Sequence, residues 1–300
     1  MKSTTGSMWG LIVAAVLGLP ACAVSSASPG PAQAEPDLGT LPTVTSYADI
    51  SFPLDAYHPS PDDRASMARA GDVVLRDCMR RYGFDVPLPE RTVQPEPAIR
   101  RIGLIDADAA ARYGYKPPDF DEYSQRVADV KSKQFKWSPQ MMAVLNGDGP
   151  ARLNGADVPP GGCGAESSSR TAKAARGEPG DENFVIHLER EASAAAEKDS
   201  RLTTAFSRWS ACMADAGFTY SDPWQANNDR AFADGKATPR MLATAKADVA
   251  CRGREQVNST WVAVITAYQK QAIAGHRDAL DQHRQLTRTQ VATAHRLLAG

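Results

Sequence analysis

Cys78-Met79-Arg80-Arg81-Tyr82-Gly83-Phe84 recurs 134 residues later (212 − 78) as Cys212-Met213-Ala214-Asp215-Ala216-Gly217-Phe218, with Cys, Met, Gly and Phe at matching positions. Each copy closes a run with apolar residues at helical spacing: Met67, Val73, Val74 and Leu75 before the first, Leu202, Ala205, Phe206 and Trp209 before the second. The pattern reads as a Schellman stop, with glycine left-handed at C′ and phenylalanine at C″. Met79 and Met213 then fall at C3, the position that a C″ apolar side chain touches. Pro87 and Pro223 follow the two stops, as expected where a helix has ended. Helix termination therefore explains the motif without any chemistry. The sequence predicts an all-α fold of two related halves.

Outward from the first copy, Pro61 with Asp62 and Asp63 opens a helix over 61–82. A proline-rich loop is expected over 85–102, then a short helix from Asp106 to Tyr113 that stops at Gly114-Tyr115 with the same grammar. Ser138-Pro139 forms an N-cap and N1 pair for a helix through Leu145 that Gly147 closes. A Gly- and Pro-rich loop over 148–164 delivers Cys163. Around the second copy, helical periodicity runs over 183–216 with a break near Ser200. Thr238-Pro239 opens another helix that passes Cys251 toward the C-terminus. The polar stretch 167–181 separates the halves, set at 59–175 and 181–300, and no run reads as a strand.

The N-terminal 22 residues read as an export signal, with Lys2 as the only charge and an apolar stretch from Trp9 to Leu19 that is too short to span a bilayer. Leu19-Pro20-Ala21-Cys22 ends that stretch like a bacterial lipobox, where the cysteine is lipidated and becomes the first mature residue. The expected organisation is a signal peptide over 1–21, lipidated Cys22 with a flexible tether to residue 58, and a helical domain over 59–300. Cleavage near Ala21 or Ala23 and release as a secreted protein is the alternative, and both export the chain. Apart from Cys22 there are four cysteines, at 78, 163, 212 and 251, an even number in an exported chain. None lies in a CxxC pair. Three disulfide pairings exist, and the repeated order of motif cysteine and follower selects Cys78 with Cys163 and Cys212 with Cys251. On the chain-entropy account, closing loops of these lengths contributes about 4–5 kcal/mol each.

The 300 residues hold 34 Lys and Arg against 35 Asp and Glu, so no overall field attracts nucleic acid. No phosphate loop, HExxH, GxSxG or EF-hand pattern occurs. Gly161-Gly162-Cys163-Gly164 precedes a polar helical stretch in the manner of an anion site, although a turn presenting a cystine half accounts for the same glycines. Histidines at 58, 187, 276, 283 and 295 lack metal-ligand spacing, so no metal and no cofactor are expected. Carboxylates cluster at Asp106 and Asp108, at Asp119, Asp121 and Glu122, and at Glu189 and Glu191, where helix N-termini and solvated faces explain them. Arg277, Arg284 and Arg288 lie near one face of the C-terminal helix, within a stretch from Arg252 that carries excess positive charge.

Together the lipobox-like start, the two CMxxxGF units, Arg112-Tyr113-Gly114-Tyr115, Gly161-Gly162-Cys163 and Ala250-Cys251-Arg252 resemble the uncharacterised exported lipoproteins of actinobacteria, over most of residues 70–255. The resemblance implies cysteine pairing and an envelope location, and no catalytic residue. The expected function is a non-enzymatic binding or accessory module at the outer face of the cytoplasmic membrane. Its lipid would engage the membrane, its body an envelope protein or wall polymer, and nucleic acid is not a partner. The rival expectation is a cell-wall hydrolase using an acidic pair across a cleft. A small-molecule receptor would instead enclose an apolar pocket lined by Trp137, Tyr113 or Trp209.

Overall fold

The computed structural model describes residues 34–89, 102–117, 120–132, 134–233 and 236–300. The chain divides into two units, Met1–Glu35 and Pro36–Gly300. Cys22 and the signal segment lie outside the described residues. The described residues hold eleven α-helices and one minimal hairpin: α1 Pro61–Arg80, α2 Ala107–Tyr113, α3 Phe120–Ser132, α4 Pro139–Asn146, β1 Arg152–Leu153, β2 Ala156–Asp157, α5 Gly162–Arg170, α6 Glu182–Ala196, α7 Ser200–Asp215, α8 Pro223–Asn227, α9 Pro239–Arg254, α10 Val257–Gly275 and α11 Arg277–Ala299. The fold is a disulfide-stapled all-α domain.

Helix α10 is apolar on nearly every side, and Val257, Trp261, Val262, Val264 and Ile265 are all buried, which makes it the central element. Helices α6, α7 and α9 pack against it, and α11 follows it after a break at His276. Helix α11 carries α1 on its other side, α1 carries α5, and α5 carries α4. Phe206 and Trp224 meet the Trp261 ring edge-on at 4.9 and 5.1 Å between centroids, the arrangement in which a ring's positive edge meets a negative face.

Both CMxxxGF stops are Schellman motifs in full. The Phe84 N–H donates to the Met79 carbonyl and the Gly83 N–H to that of Arg80; Phe218 and Gly217 bond in the same way to Met213 and Ala214. Gly83 and Gly217 have φ of +81° and +87°. The cysteine one position before each C3 methionine forms a disulfide, Cys78–Cys163 tying α1 to α5 and Cys212–Cys251 tying α7 to α9. Gly114 departs from this grammar. Its φ of +65° comes with ψ of −127°, and its N–H bonds back to Ala110 in the ordinary helical way. Glycine is required there because an added Cβ would lie 2.6 Å from the Met241 sulfur.

Three further features depart from the sequence expectation. The folded body begins near residue 36, well before 59: Phe52 and Leu54 are buried, a 3₁₀ turn over Pro53–Tyr57 lies against α10, and the Leu54 N–H donates to Gln269 Oε1 at 2.9 Å. Its few apolar residues sit among Pro, Ser and Asp without a period, so the segment resembles a tether by composition. The hairpin β1–β2 turns at Asn154-Gly155, both with positive φ, a pairing that signals a tight hairpin turn even where the strands are only two residues long. The halves also interleave. The segment 102–113 packs on α9, α1 packs on α11, and α9 and α10 are separate helices broken at left-handed Gln256. A repeat of seven residues fixes how two helices end and not which core the intervening chain joins.

Because the left-handed C′ position penalises a Cβ, Gly217→Ala should lower the unfolding free energy by about 1–2 kcal/mol. Gly253→Ala, within α9 and with no atom within 4 Å of the added carbon, should raise it by about 0.5 kcal/mol. Urea titration of the two variants checks the opposite signs.

Candidate functional site

The most buried polar cluster is built on one turn of α9. Asp248 and Arg252 stand four residues apart, 0% and 1% exposed, and Asp248 Oδ1 accepts from Arg252 Nε at 2.7 Å and from Trp209 Nε1 of α7 at 2.8 Å. Arg252 Nη1 donates to the Ile102 carbonyl at 2.7 Å and to Asn258 Oδ1 of α10 at 3.1 Å, and Asn258 Nδ2 donates to the Leu104 carbonyl at 3.2 Å. The segment 102–105 is thus held by side chains from two helices. Gly103, with φ of +83°, lies so close that a Cβ would stand 2.8 Å from Arg252 Nη2.

The Tyr115 hydroxyl, Asp248 Oδ2 and Arg252 Nη2 are buried with no hydrogen-bond partner among the described residues. Burial, with the Asp248 carboxylate adding to it, pushes the Tyr115 hydroxyl far above the usual phenol range. Tyr47 is also raised, chiefly by burial, while its oxygen accepts from the Ile105 N–H at 3.3 Å. Both phenols stay protonated, and that of Tyr47 serves as a hydrogen-bonding group.

A cleft of about 220 Å³ adjoins the cluster, lined by residues 41–44 together with Arg252, Gln256 and Asn258. It is smaller than the ~300 Å³ at which ligand pockets begin. Sequence reasoning missed this cluster because Asp248 and Arg252, at i and i+4, look like an exposed helix pair. The neighbouring Ala250 and Cys251 gave no sign that the polar face was the buried one.

The residues singled out from sequence have separate structural tasks. Asp106 caps α2 by accepting from the Asp108 and Ala109 N–H groups, Asp121 and Glu122 are exposed on α3, and Asp119 lies outside the described residues. Glu189 meets His58 at 3.1 Å, while Asp108 and Glu191 are exposed. The carboxylates whose titration is displaced, Asp49, Asp181, Asp199 and Asp229, all move downward. For Asp49 the Thr45 backbone N–H is the main cause and for Asp229 the Tyr220 hydroxyl. For Asp181 and Asp199 burial pulls upward and is outweighed, by the Gly177 N–H in one case and Arg201 in the other. Such shifts keep a carboxylate charged, the reverse of what a general acid needs.

At Gly161-Gly162, an added Cβ on Gly162 would lie 2.4 Å from the Val144 and Leu145 carbonyl oxygens, so close packing against the end of α4 requires the glycine. Trp209 is fully buried in the main core, Trp137 packs edge-on to Phe135 beside the other disulfide, and Tyr113 is 38% exposed. They do not line one pocket. Of the basic residues, Arg252 is inside the protein and Arg284 lies over the Tyr57 ring at 4.7 Å. Among the described residues no group of His, Cys, Asp and Glu is placed to hold a metal ion, and no helix is long and apolar enough to cross a membrane.

His283 of α11 is 3% exposed and has a structural task. Its Nδ1 accepts from the Gly180 N–H at 2.9 Å, and one helical turn pair further along Gln290 Nε2 donates to the carbonyls of Gly180 and Ala172. Together they clamp the polar segment before α6 onto α11. Burial is the main cause that lowers the His283 pKa, with His58 adding to it and the Tyr57 backbone and Asp181 opposing. A proton on Nδ1 would point at the Gly180 N–H.

The class of protein so defined is a disulfide-stapled all-α domain whose most buried polar residues are structural. No known protein family, curated protein or solved structure matches the chain.

Removing one member of a buried ion pair leaves the other charge uncompensated, so Asp248→Ala should cost about 3–5 kcal/mol of stability. Arg254→Ala, at an exposed pair with Glu255, should change it by less than about 0.5 kcal/mol. The His283 contribution is complete above the ordinary histidine pKa near 6.5 and is lost as pH falls through and below that value. His283→Gln should therefore flatten the decline in unfolding free energy between about pH 7 and 5.5, and a wild-type decline equal to that of the variant would remove the clamp's role.

Proposed function

We propose that this chain is an exported lipoprotein, held through a lipid on Cys22 at the outer face of the cytoplasmic membrane, and that its body is a non-enzymatic binding or accessory module for an envelope protein or wall polymer. The observation that carries the anchoring is the position of Leu19-Pro20-Ala21-Cys22, where the apolar stretch ends in a lipobox-like pattern. Two disulfides closing separations of 85 and 39 residues support an oxidising compartment. The binding role draws support from the residues that a hydrolase would use. Asp106 is a helix cap, Glu189 pairs with His58, and Asp181 and Asp199 are held in their charged form. The resemblance to exported actinobacterial lipoproteins points the same way.

Mass spectrometry of the mature protein should find a diacylated cysteine 22 at the N-terminus, and Cys22→Ala should move the protein from the membrane to the soluble fraction. A mature N-terminus at another residue, or a Cys22→Ala protein that stays with the membrane, would contradict the anchor.

A further inference from the structure

The two CMxxxGF units share a backbone geometry and differ in charge. Three residues after the cysteine stands Arg81 in the first copy and Asp215 in the second, and on a helix that spacing makes the two side chains neighbours. Arg81 Nη2 donates to Cys78 Sγ at 3.0 Å, beside its contact with Glu166 of α5. Glu166 also faces Arg170 at 3.9 Å, so two guanidinium groups meet one carboxylate here. Asp215 is exposed, and among the described residues no side chain donates to a sulfur of the second cystine. Arg208 and Arg254, which lie one turn from its cysteines, are turned to Glu255 at 3.5 and 3.1 Å.

Helix ends add a second, independent difference. Cys163 is the second residue of α5, at the partially positive end of that helix. Cys212 and Cys251 both lie in last turns, of α7 and α9, where the partial charge is negative. Cys78 is in a last turn as well, and there Arg81 supplies the compensating charge. A guanidinium or a helix N-terminus favours a thiolate, whereas a helix C-terminus disfavours it. Each sulfur of the first cystine thus has a group that stabilises the anion formed when the bond opens, and neither sulfur of the second has one.

We propose that Cys78–Cys163 is a redox-active disulfide, opened and closed by exchange with an extracytoplasmic dithiol, while Cys212–Cys251 is a permanent staple. A thiolate of the dithiol attacks Cys163 Sγ; the bond to Cys78 breaks, and its electron pair leaves on Cys78 Sγ beside Arg81. The second thiol of the dithiol loses its proton to water and attacks the mixed disulfide, which releases Cys163 and closes the reductant's own disulfide. Two electrons pass from the dithiol to the cystine. Of the two thiol protons, one ends on Cys163 and the other in water, and Cys78 remains a thiolate.

Both sulfurs are buried, so exchange proceeds through local opening. The cover is the hairpin segment, whose Leu153, Ala156 and Val158 lie on the small apolar cluster around this cystine. The second cystine sits in the main core with Trp209 and Trp261.

The test equilibrates the purified, oxidised full chain with dithiothreitol buffers of graded redox ratio at about pH 7, traps the thiols and maps them by mass spectrometry. Cys78 and Cys163 should become reduced in buffers about tenfold or more oxidising than those that reduce Cys212 and Cys251. Arg81→Gln should lower the reduction constant of the first cystine by about tenfold. If Arg81 only clamped α1 to α5 through Glu166, its loss would loosen the pair and ease reduction, the opposite sign. In the reduced protein, alkylation of Cys78 should follow a thiol half-ionised below about pH 7.5, against about 8.5 for an ordinary cysteine. Reduction of the second cystine first, an unchanged or raised constant for Arg81→Gln, or ordinary titration of Cys78 would each overturn the proposal. The assay needs no lipid on Cys22, so its failure is separate from failure of the anchor.

Discussion

The buried pairing of Arg252 with Asp248 is the constraint on which the domain's arrangement depends. A guanidinium taken fully out of water must find acceptors on several sides. Here they come from α9 itself, from α10 through Asn258, and from the backbone of the segment leading into α2. The carboxylate in turn fixes the Trp209 indole of α7. Four pieces of chain, α7, α9, α10 and the segment entering α2, are therefore joined through one side-chain pair. Hydrophobic packing alone tolerates sliding, whereas a hydrogen-bonded charge in low dielectric specifies a geometry. The Trp261 ring, in T-shaped contact with Phe206 and Trp224, closes the apolar side of the same region.

Around that centre the two cystines act as local staples. Each joins the last turn of a helix that ends in a Schellman motif to a second helix, and each sits in its own apolar cluster. The first cluster is further held by the hairpin. Asn154 Nδ2 donates to the Tyr82 carbonyl at 2.7 Å and the Tyr82 hydroxyl donates to the Asp157 carbonyl at 2.6 Å. Arg81 also pairs with Glu166 of α5. Helix α1 of the first cluster packs on α11, which continues the chain from the end of α10.

Much of this was legible in the residues. Pro at N1 after Ser60, Ser138 and Thr238 marked three helix starts, and each of these side chains accepts the N3 N–H as a cap should. The CMxxxGF stops were legible because Schellman geometry is local: glycine, its neighbours and one apolar contact determine it. What was not legible depends on distant partners. Phe52 and Leu54 look like tether residues until α10 is beside them, and Gly103 looks like any loop glycine until Arg252 is placed against it. Asp248 and Arg252 stand at i and i+4, a spacing that does not reveal which face of the helix turns inward.

Native-state hydrogen exchange with residue resolution tests the central claim most directly. If the Arg252 network joins the segment entering α2 to the second disulfide unit, the bonded amides of Ala110 and Gly114 should open with the same free energy and denaturant dependence as those of α9 and α10. Exchange of these amides with α1 and α5, or at the rate of free chain, would contradict the account.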